Sequence, residues 1–221
     1  MTIYQTIVAD PPWPYASNEL RSAPDHRPNS WNTVKGGVSS VDRYGAMSMA
    51  DLRALLTRES ITIADNAHLY LWTTNTFLLE DDPAARIARA WGFTPKTLLT
   101  WVKIKKRPNM RAHPNGFYAL TEADFSNGYE SSMKAGYYYR GATEHVIFAV
   151  RGSLRLQNPA FPEPTWFGYP RLEHSRKPEP FMAMVERQSP GPYLELFARR
   201  KRDGWDSWGN QVEESPLSLF G

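Results

Sequence analysis

Apolar positions follow two rhythms along this chain. Short runs rich in β-branched and aromatic residues recur at 3–9, 68–73, 96–103, 144–150 and 193–198, and these predict strands. Between some of them an apolar residue returns every three or four positions, which predicts helices. Ser48-Met49-Ala50-Asp51 reads as a capping box, with Leu52, Leu55 and Leu56 on one face behind it. Pro83 opens a second helix, with Asp81 and Asp82 before it and Gly92 as its stop. A third runs over 180–187 and carries Phe181, Met184 and Val185 as its stripe. Strands alternating with helices imply an α/β fold, a mostly parallel sheet with helices on both faces. Two segments carry neither rhythm. Residues 15–45 are rich in Pro, Asn, Ser and Gly; residues 104–142 are rich in Gly, Pro, Tyr and basic side chains. Both exceed ordinary connection lengths and are expected to be either functional loops or small subdomains. With no repeat and no linker, a single domain over 1–221 is expected.

The first run, Ile7-Val8-Ala9, stops at Asp10-Pro11-Pro12-Trp13. The plain reading is punctuation: proline cannot continue a central strand, and Trp13 is then only a core residue. A functional reading is also open. In parallel sheets, ligands bind beyond the carboxyl ends of the strands. Asp10 closes the first predicted strand and Arg199 follows the last, so both can face one crevice.

Composition narrows the chemistry. The chain has 41% hydrophobic and 22% charged residues, which suits a globular protein rather than a disordered one. Apolar runs are too short for a membrane span and no basic-then-apolar leader is visible, so a soluble protein of the cytoplasm, in a bacterial or phage-infected cell, is expected. There is no cysteine, and the five histidines are scattered, so no metal site is expected. No G-x-G-x-x-G occurs, which leaves a pyrophosphate cradle unsupported. Net charge is only +3, but Lys103, Lys105, Lys106, Arg107 and Arg111 cluster, with aromatic residues nearby, and Arg199-Arg200-Lys201-Arg202 form a second cluster. Such clusters are commonly solvated faces; here they also suit phosphate contact, with rings available for base stacking.

A planar base in the crevice gives the turn a purpose. The exocyclic amino group of adenine is a poor nucleophile, because its lone pair is delocalised into the ring. Two acceptors beside it can hold both hydrogens while the nitrogen becomes tetrahedral. The Asp10 carboxylate is one; the Pro11 carbonyl, fixed by its rigid surroundings, is the other. Trp13 can stack on an extruded base. The arrangement fits methyl transfer to an amino nitrogen, needing neither metal nor thiolate. Toward the carboxyl terminus, Lys177 can neutralise a carboxylate, Glu195 can accept from ribose hydroxyls, and Arg199, Asn210 and Gln211 add further polar groups.

Taken together, these pieces resemble the N6-adenine methyltransferases that carry Asp-Pro-Pro-Trp, the family of the eukaryotic messenger-RNA adenosine methyltransferases and their bacterial and phage DNA relatives. The matching stretches run in family order: IVADPPW (7–13), RYGAMSMADLRAL (43–55), AHLYLWTTN (67–75), ARAWGFTPKTLLTWVK (88–103), GATEHVIFAVRG (141–152), SRKPEP (175–180) and LELFARRKRDGWDSWGNQV (194–212). The resemblance implies a Rossmann-like methyltransferase fold with permuted order, catalytic motif first and cofactor strand last. It implies S-adenosylmethionine as cofactor. Asp10, Pro11, Pro12 and Trp13 would form the catalytic loop. Asp10, Lys177, Glu195, Phe197, Arg199, Asn210 and Gln211 would line the cofactor. Tyr44, Glu144 and Ser175 would lie on the acceptor side, while Lys201 stands where the messenger-RNA enzymes carry histidine. The basic residues Lys105, Lys106 and Arg107 would hold the nucleic-acid backbone, with Arg21, Arg27, Lys35 and Arg43 in the other long loop.

The implied activity is S-adenosylmethionine-dependent methylation of adenine N6 in nucleic acid, with DNA placed ahead of RNA. The alternatives are an RNA N6-adenosine methyltransferase and a catalytically silent nucleic-acid-binding subunit; silent family members lose the Asp-Pro-Pro-Trp that this chain keeps.

Overall fold

The computed structural model describes residues 2–14, 47–79, 83–122, 141–160, 163–172 and 176–209. These residues form one seven-stranded sheet: β1 (Ile3–Ala9), β2 (Thr62–Thr73), β3 (Thr94–Ile104), β4 (Thr143–Arg151), β5 (Trp166–Pro170), β6 (Tyr193–Leu196) and β7 (Trp205–Trp208), in spatial order β5-β3-β4-β2-β1-β6-β7. β1 is parallel to β2 and β6, β6 to β7, and β3 to β5. Only β4 runs antiparallel to its neighbours β2 and β3. The carboxyl ends of six strands and the start of β4 therefore share one edge.

Helices cover both faces. On one lie α1 (Met49–Arg58), α2 (Asn75–Leu79) and α3 (Pro83–Ala90), packing Leu52, Leu55, Phe77 and Ile87 against Ile7, Ala9, Leu69, Leu71 and Leu196. On the other, α4 (Glu179–Gln188) packs Phe181, Met182, Met184 and Val185 against Val8, Tyr70, Trp72 and Trp101. β1 lies between two strands and under both layers, so its last four residues are buried on both faces, hence its near-continuous apolar sequence. The cap of α1 is as expected: the Ser48 hydroxyl accepts from the Asp51 N–H at 3.1 Å. α3 starts at Pro83, and Gly92, just past its end, takes φ of 84°, open to glycine without penalty.

The structure adds to the sequence reading at three places. β2 begins at Thr62, six residues earlier than the apolar run, and a register shift against β1 between Tyr4 and Thr6 takes up the polar Asp65-Asn66 stretch. β5 and β7 were not anticipated. Gly168 in β5 reads as a turn residue, yet it permits the close approach of Tyr118, whose carbonyl would lie 2.6 Å from an added Cβ. β7 is four residues long and carries Asp206 and Ser207, too short and polar for an apolar run to mark it. His68, within the core, is satisfied by the Ser189 hydroxyl at 2.7 Å and the Leu154 carbonyl at 3.2 Å. No described helix is long and apolar enough to cross a membrane.

Candidate active site

Strand parity builds the site. Side chains on alternate residues share a face, and directly paired residues share it too. Val8 pairs with both Tyr70 and Glu195, Trp72 with Val146, and Trp101 with Glu144. Asp10, Trp72, Lys103, Glu144 and Glu195 thus all belong to the α4 face of the sheet, and the first four lie at or near its carboxyl edge. Lys177 joins them from the segment leading into α4.

Four of these charges form a chain. Lys177 Nζ lies 3.1 Å from Asp10 Oδ1 and 2.8 Å from Glu144 Oε2. Lys103 Nζ lies 2.6 Å from the other Glu144 oxygen. Each ammonium also sits over an indole, Lys177 over Trp72 at 4.8 Å and Lys103 over Trp101 at 5.1 Å. Burial pushes the Asp10 carboxyl above its ordinary range; Lys177 opposes the shift and Glu144 adds to it. Burial also pushes Glu144 up, but Lys177 and Lys103 reverse this and hold it at about 2. Lys177 is raised because Asp10 and Glu144 outweigh its own desolvation.

A cleft of about 410 Å³ opens beside Asp10 and Lys177. Glu195, Phe197, Arg199 and Arg202 line it, with Val8 and Met182 among its apolar residues. Burial raises the Glu195 carboxyl to about 7, with Asp10 adding to the shift and Arg202 and Arg199 opposing it. Phe197 takes φ of 62°, a region rarely used by non-glycine residues, as the chain leaves β6. Its ring meets Trp208 edge-on at 5.4 Å. The following residue, Ala198, donates its N–H to the Trp208 carbonyl at 2.9 Å, and a Cβ on Gly209 would come within 2.2 Å of the Ala198 carbonyl. That close approach holds the segment after β6 against the end of β7, just ahead of residue 210.

The expected site residues fall into three groups. Asp10, Lys177, Glu195, Phe197 and Arg199 line the one cleft, with Glu144 bound to Lys177 behind them. Tyr44, Ser175, Asn210 and Gln211 lie outside the described residues, as do Arg21, Arg27, Lys35 and Arg43. Lys105 and Lys106 are exposed and Arg107 is half-buried, its guanidinium donating to the Thr121 hydroxyl at 3.0 Å. Their segment leaves β3 at the carboxyl edge and is anchored further on by Phe117, buried against Phe167.

The stacking role expected of Trp13 is corrected. Its ring is 4% exposed, lies in the core under α1–α3 and stacks on Phe77 at 5.0 Å. Its indole N–H is given to the Trp72 carbonyl at 3.1 Å. No face is presented to a base. Lys103 also leaves the basic surface cluster, since it is buried and paired. The sequence signal for this was position: Lys103 continues the parity of Trp101, while Lys105 and Lys106 lie past the strand.

The prolines act with Trp13. The Trp13 N–H returns to the Pro11 carbonyl at 2.9 Å, closing a tight three-residue turn, and the Pro12 carbonyl accepts from Met47 at 3.2 Å. The turn sends Asp10 to the cleft and Trp13 to the opposite layer. The Pro11 carbonyl keeps a second lone pair.

A family model, MT-A70, matches residues 4–211, nearly the whole chain. The chain belongs to the MT-A70 family. Its similarities include the type II methyltransferase M.MunI of a Mycoplasma species, 26% identical over 220 residues, covering 98% of this chain and 81% of that protein. They also include the N6-methyladenosine RNA methyltransferase MTA1 of Pyricularia oryzae, 28% identical over 218 residues, covering 95% of this chain but 47% of that protein. The MT-A70 chain is a methyltransferase with the Rossmann-like fold of its family, and the N6-adenine chemistry implied by its motifs is the family's chemistry. Among the described residues no group of His, Asp and Glu could hold a metal ion.

Proposed function

We propose that this MT-A70 methyltransferase transfers a methyl group from S-adenosylmethionine to the N6 amino group of adenine in DNA. The observation that carries the reading is Asp10: a partly buried carboxylate at the carboxyl end of the interior strand β1, on a proline-stiffened turn, in the wall of a cleft with a second partly buried carboxylate and several cations.

The residues fit the cofactor. The cleft volume suits a nucleoside-sized ligand. Both charge signs are present, as a zwitterionic amino-acid moiety requires. Arg202 Nε, in the cleft lining, is buried and has no hydrogen-bond partner among the described residues. Lys177 has three N–H donors, of which Asp10 and Glu144 take two, leaving one for a carboxylate. Glu195 would accept from ribose hydroxyls, Phe197 would pack on the adenine ring, and Arg199 with Asn210 and Gln211 would complete the polar lining.

S-adenosylmethionine supplies an electrophilic methyl on a sulfonium centre. Asp10 and the Pro11 carbonyl accept the two N6 hydrogens, drawing the amino lone pair out of the ring and toward the cleft. Both acceptors are fixed before substrate arrives, so little reorganisation opposes the reaction. After transfer the nitrogen carries a proton to shed, and Asp10, whose proton affinity burial has raised, is the acceptor already hydrogen-bonded to it. Lys105, Lys106 and Arg107 would hold backbone phosphates beside the same edge.

Support for DNA is the match to a type II methyltransferase along 98% of this chain. The test is methyl transfer from labelled cofactor to matched double-stranded DNA, single-stranded DNA and RNA, with nucleoside mass spectrometry. N6-methyldeoxyadenosine is the expected product. N6-methyladenosine from the RNA arm alone would replace DNA by RNA. No transfer to any arm by protein that binds nucleic acid would make the chain a silent subunit.

A further inference from the structure

The second lysine of the charge chain has no role in the reaction as described above. Lys103 is 8% exposed, whereas Lys105 and Lys106, two and three residues on, are exposed. Its side chain is almost wholly buried and does not line the cleft. It ends on Glu144 Oε1, while Oε2 takes Lys177, so each carboxylate oxygen holds one cation. Resting on the N6-adenine reading, we propose that Lys103 is a positioning residue, which occupies half of Glu144 so that Lys177 is shared with Asp10 instead of being captured by Glu144.

Geometry and charge both support this. Trp72 and Trp101 meet edge to face at 6.1 Å, and each carries one of the two ammonium groups, so the lysines stand on neighbouring rings with Glu144 between their charges. Backbone pairing sets the row: Trp101 opposite Glu144, with Lys103 two residues further on the same face. Asp10, Glu144, Lys177 and Lys103 sum to zero charge. Removing Lys103 leaves one net negative charge in a desolvated site. Both oxygens of Glu144 then compete for Lys177, whose bond to Asp10 is already the longer, 3.1 Å against 2.8 Å. Asp10 loses cationic support and binds a proton more tightly. The other charged groups around Asp10 are Arg199 and Glu195 on the β6 side, and those around Glu144 include His145 beside it.

The test uses Lys103→Met, Lys103→Arg, Glu144→Gln and the double Lys103→Met/Glu144→Gln. Wild-type protein is first assayed on adenine-containing DNA. With K103M, kcat is expected to fall about tenfold to a hundredfold while KM for DNA moves little, the cost of misplaced reacting groups. K103R should recover most of the loss. The acidic limb of the kcat profile should move up in K103M and down in E144Q, because one removes a cation and the other an anion near Asp10. Carbon-13 titration of labelled aspartate in the free protein, with D10N to assign the signal, should show the Asp10 midpoint moving in the same two directions. In the double variant the midpoint should return toward wild type. Should K103M fail to fold, the double variant and E144Q decide the matter by that midpoint. A kcat unchanged in K103M, or a lowered kcat with an unmoved Asp10 midpoint, would overturn the positioning role. If wild-type protein methylates no adenine, the functional reading fails instead, and the titration still judges Lys103.

Discussion

Asp10→Asn separates catalysis from stability. The substitution keeps the shape but removes the charge and exchanges one acceptor oxygen for a donor. Lys177 is not orphaned by it, because Glu144 remains 2.8 Å away. The Asp10 carboxyl is raised in the fold, chiefly by burial, despite Lys177. A raised carboxyl contributes stability that is present below its unfolded value and is lost as pH rises through its folded value. At pH 8 the ionised group therefore opposes folding, and a neutral amide relieves that opposition. D10N should melt at or above wild type, each 1 kcal/mol being worth about 2–4 °C in a domain of this size. Turnover should move the other way. Losing one transition-state acceptor typically costs about 3 kcal/mol, or roughly a hundredfold in kcat. Scanning calorimetry at pH 8 and labelled-methyl transfer to DNA measure the two effects. A D10N protein that melts well below wild type, or that turns over within about threefold of it, would refute the assignment of Asp10 as a group held against its own stability for catalysis.

Three further outcomes are expected. Lys177→Ala should weaken S-adenosylmethionine binding by about tenfold to a hundredfold, the worth of a charged hydrogen bond, and calorimetry showing unchanged affinity would remove Lys177 from the cofactor. Neutralising Lys105, Lys106 and Arg107 together should lower the salt dependence of DNA binding by up to about three ion equivalents while cofactor affinity stays; an unchanged salt slope would make the cluster a solvated surface only. Glu195 is raised from 4.5 to about 7, so its contribution to stability is lost as pH rises between those values. Glu195→Gln should accordingly be the more stable protein at pH 8, by up to about 3 kcal/mol, with the difference gone near pH 4.5; thermal melts across that range that stay parallel to wild type would show that Glu195 is ionised throughout.

Sequence pattern revealed the end of β1 and the second half of β2 most clearly because they are buried on both faces, and burial writes itself as an apolar run. The bounds of β1 agree with its run even though Gln5 and Thr6 interrupt the apolar residues, because the buried Ile7-Val8-Ala9 that follows carries the signal. β5 and β7 were hidden for opposite reasons, a glycine required by close packing in one and a short polar strand in the other. The site was legible in part. Asp10 and Arg199 were readable from the rule that ligands gather at carboxyl strand ends, and both line the cleft. The pairing of Lys177 with Asp10 was not readable, because the two residues are joined only through the closure of the sheet. Lys103 was misread because a run of lysines looks uniform in sequence; the end of β3 at Ile104 divides it into one buried and two exposed members.

The same distinction explains why the ring of Trp13 lies in the core rather than in the cleft. Asp10 follows Ala9 on a strand whose alternate residues face opposite layers, so a carboxylate directed to the α4 side needs the next large side chain to hold the turn from the other side. Trp13 does so through three contacts at once: the Phe77 ring, the Trp72 carbonyl and the Pro11 carbonyl. Trp72 in turn carries the Lys177 ammonium on its ring. One indole thus ties the catalytic turn to the backbone of the strand whose side chain supports the Asp10 partner. On the proposed reading, the two acceptors are pre-organised by a core residue, and Trp13 acts through where it places its neighbours rather than through contact with a base.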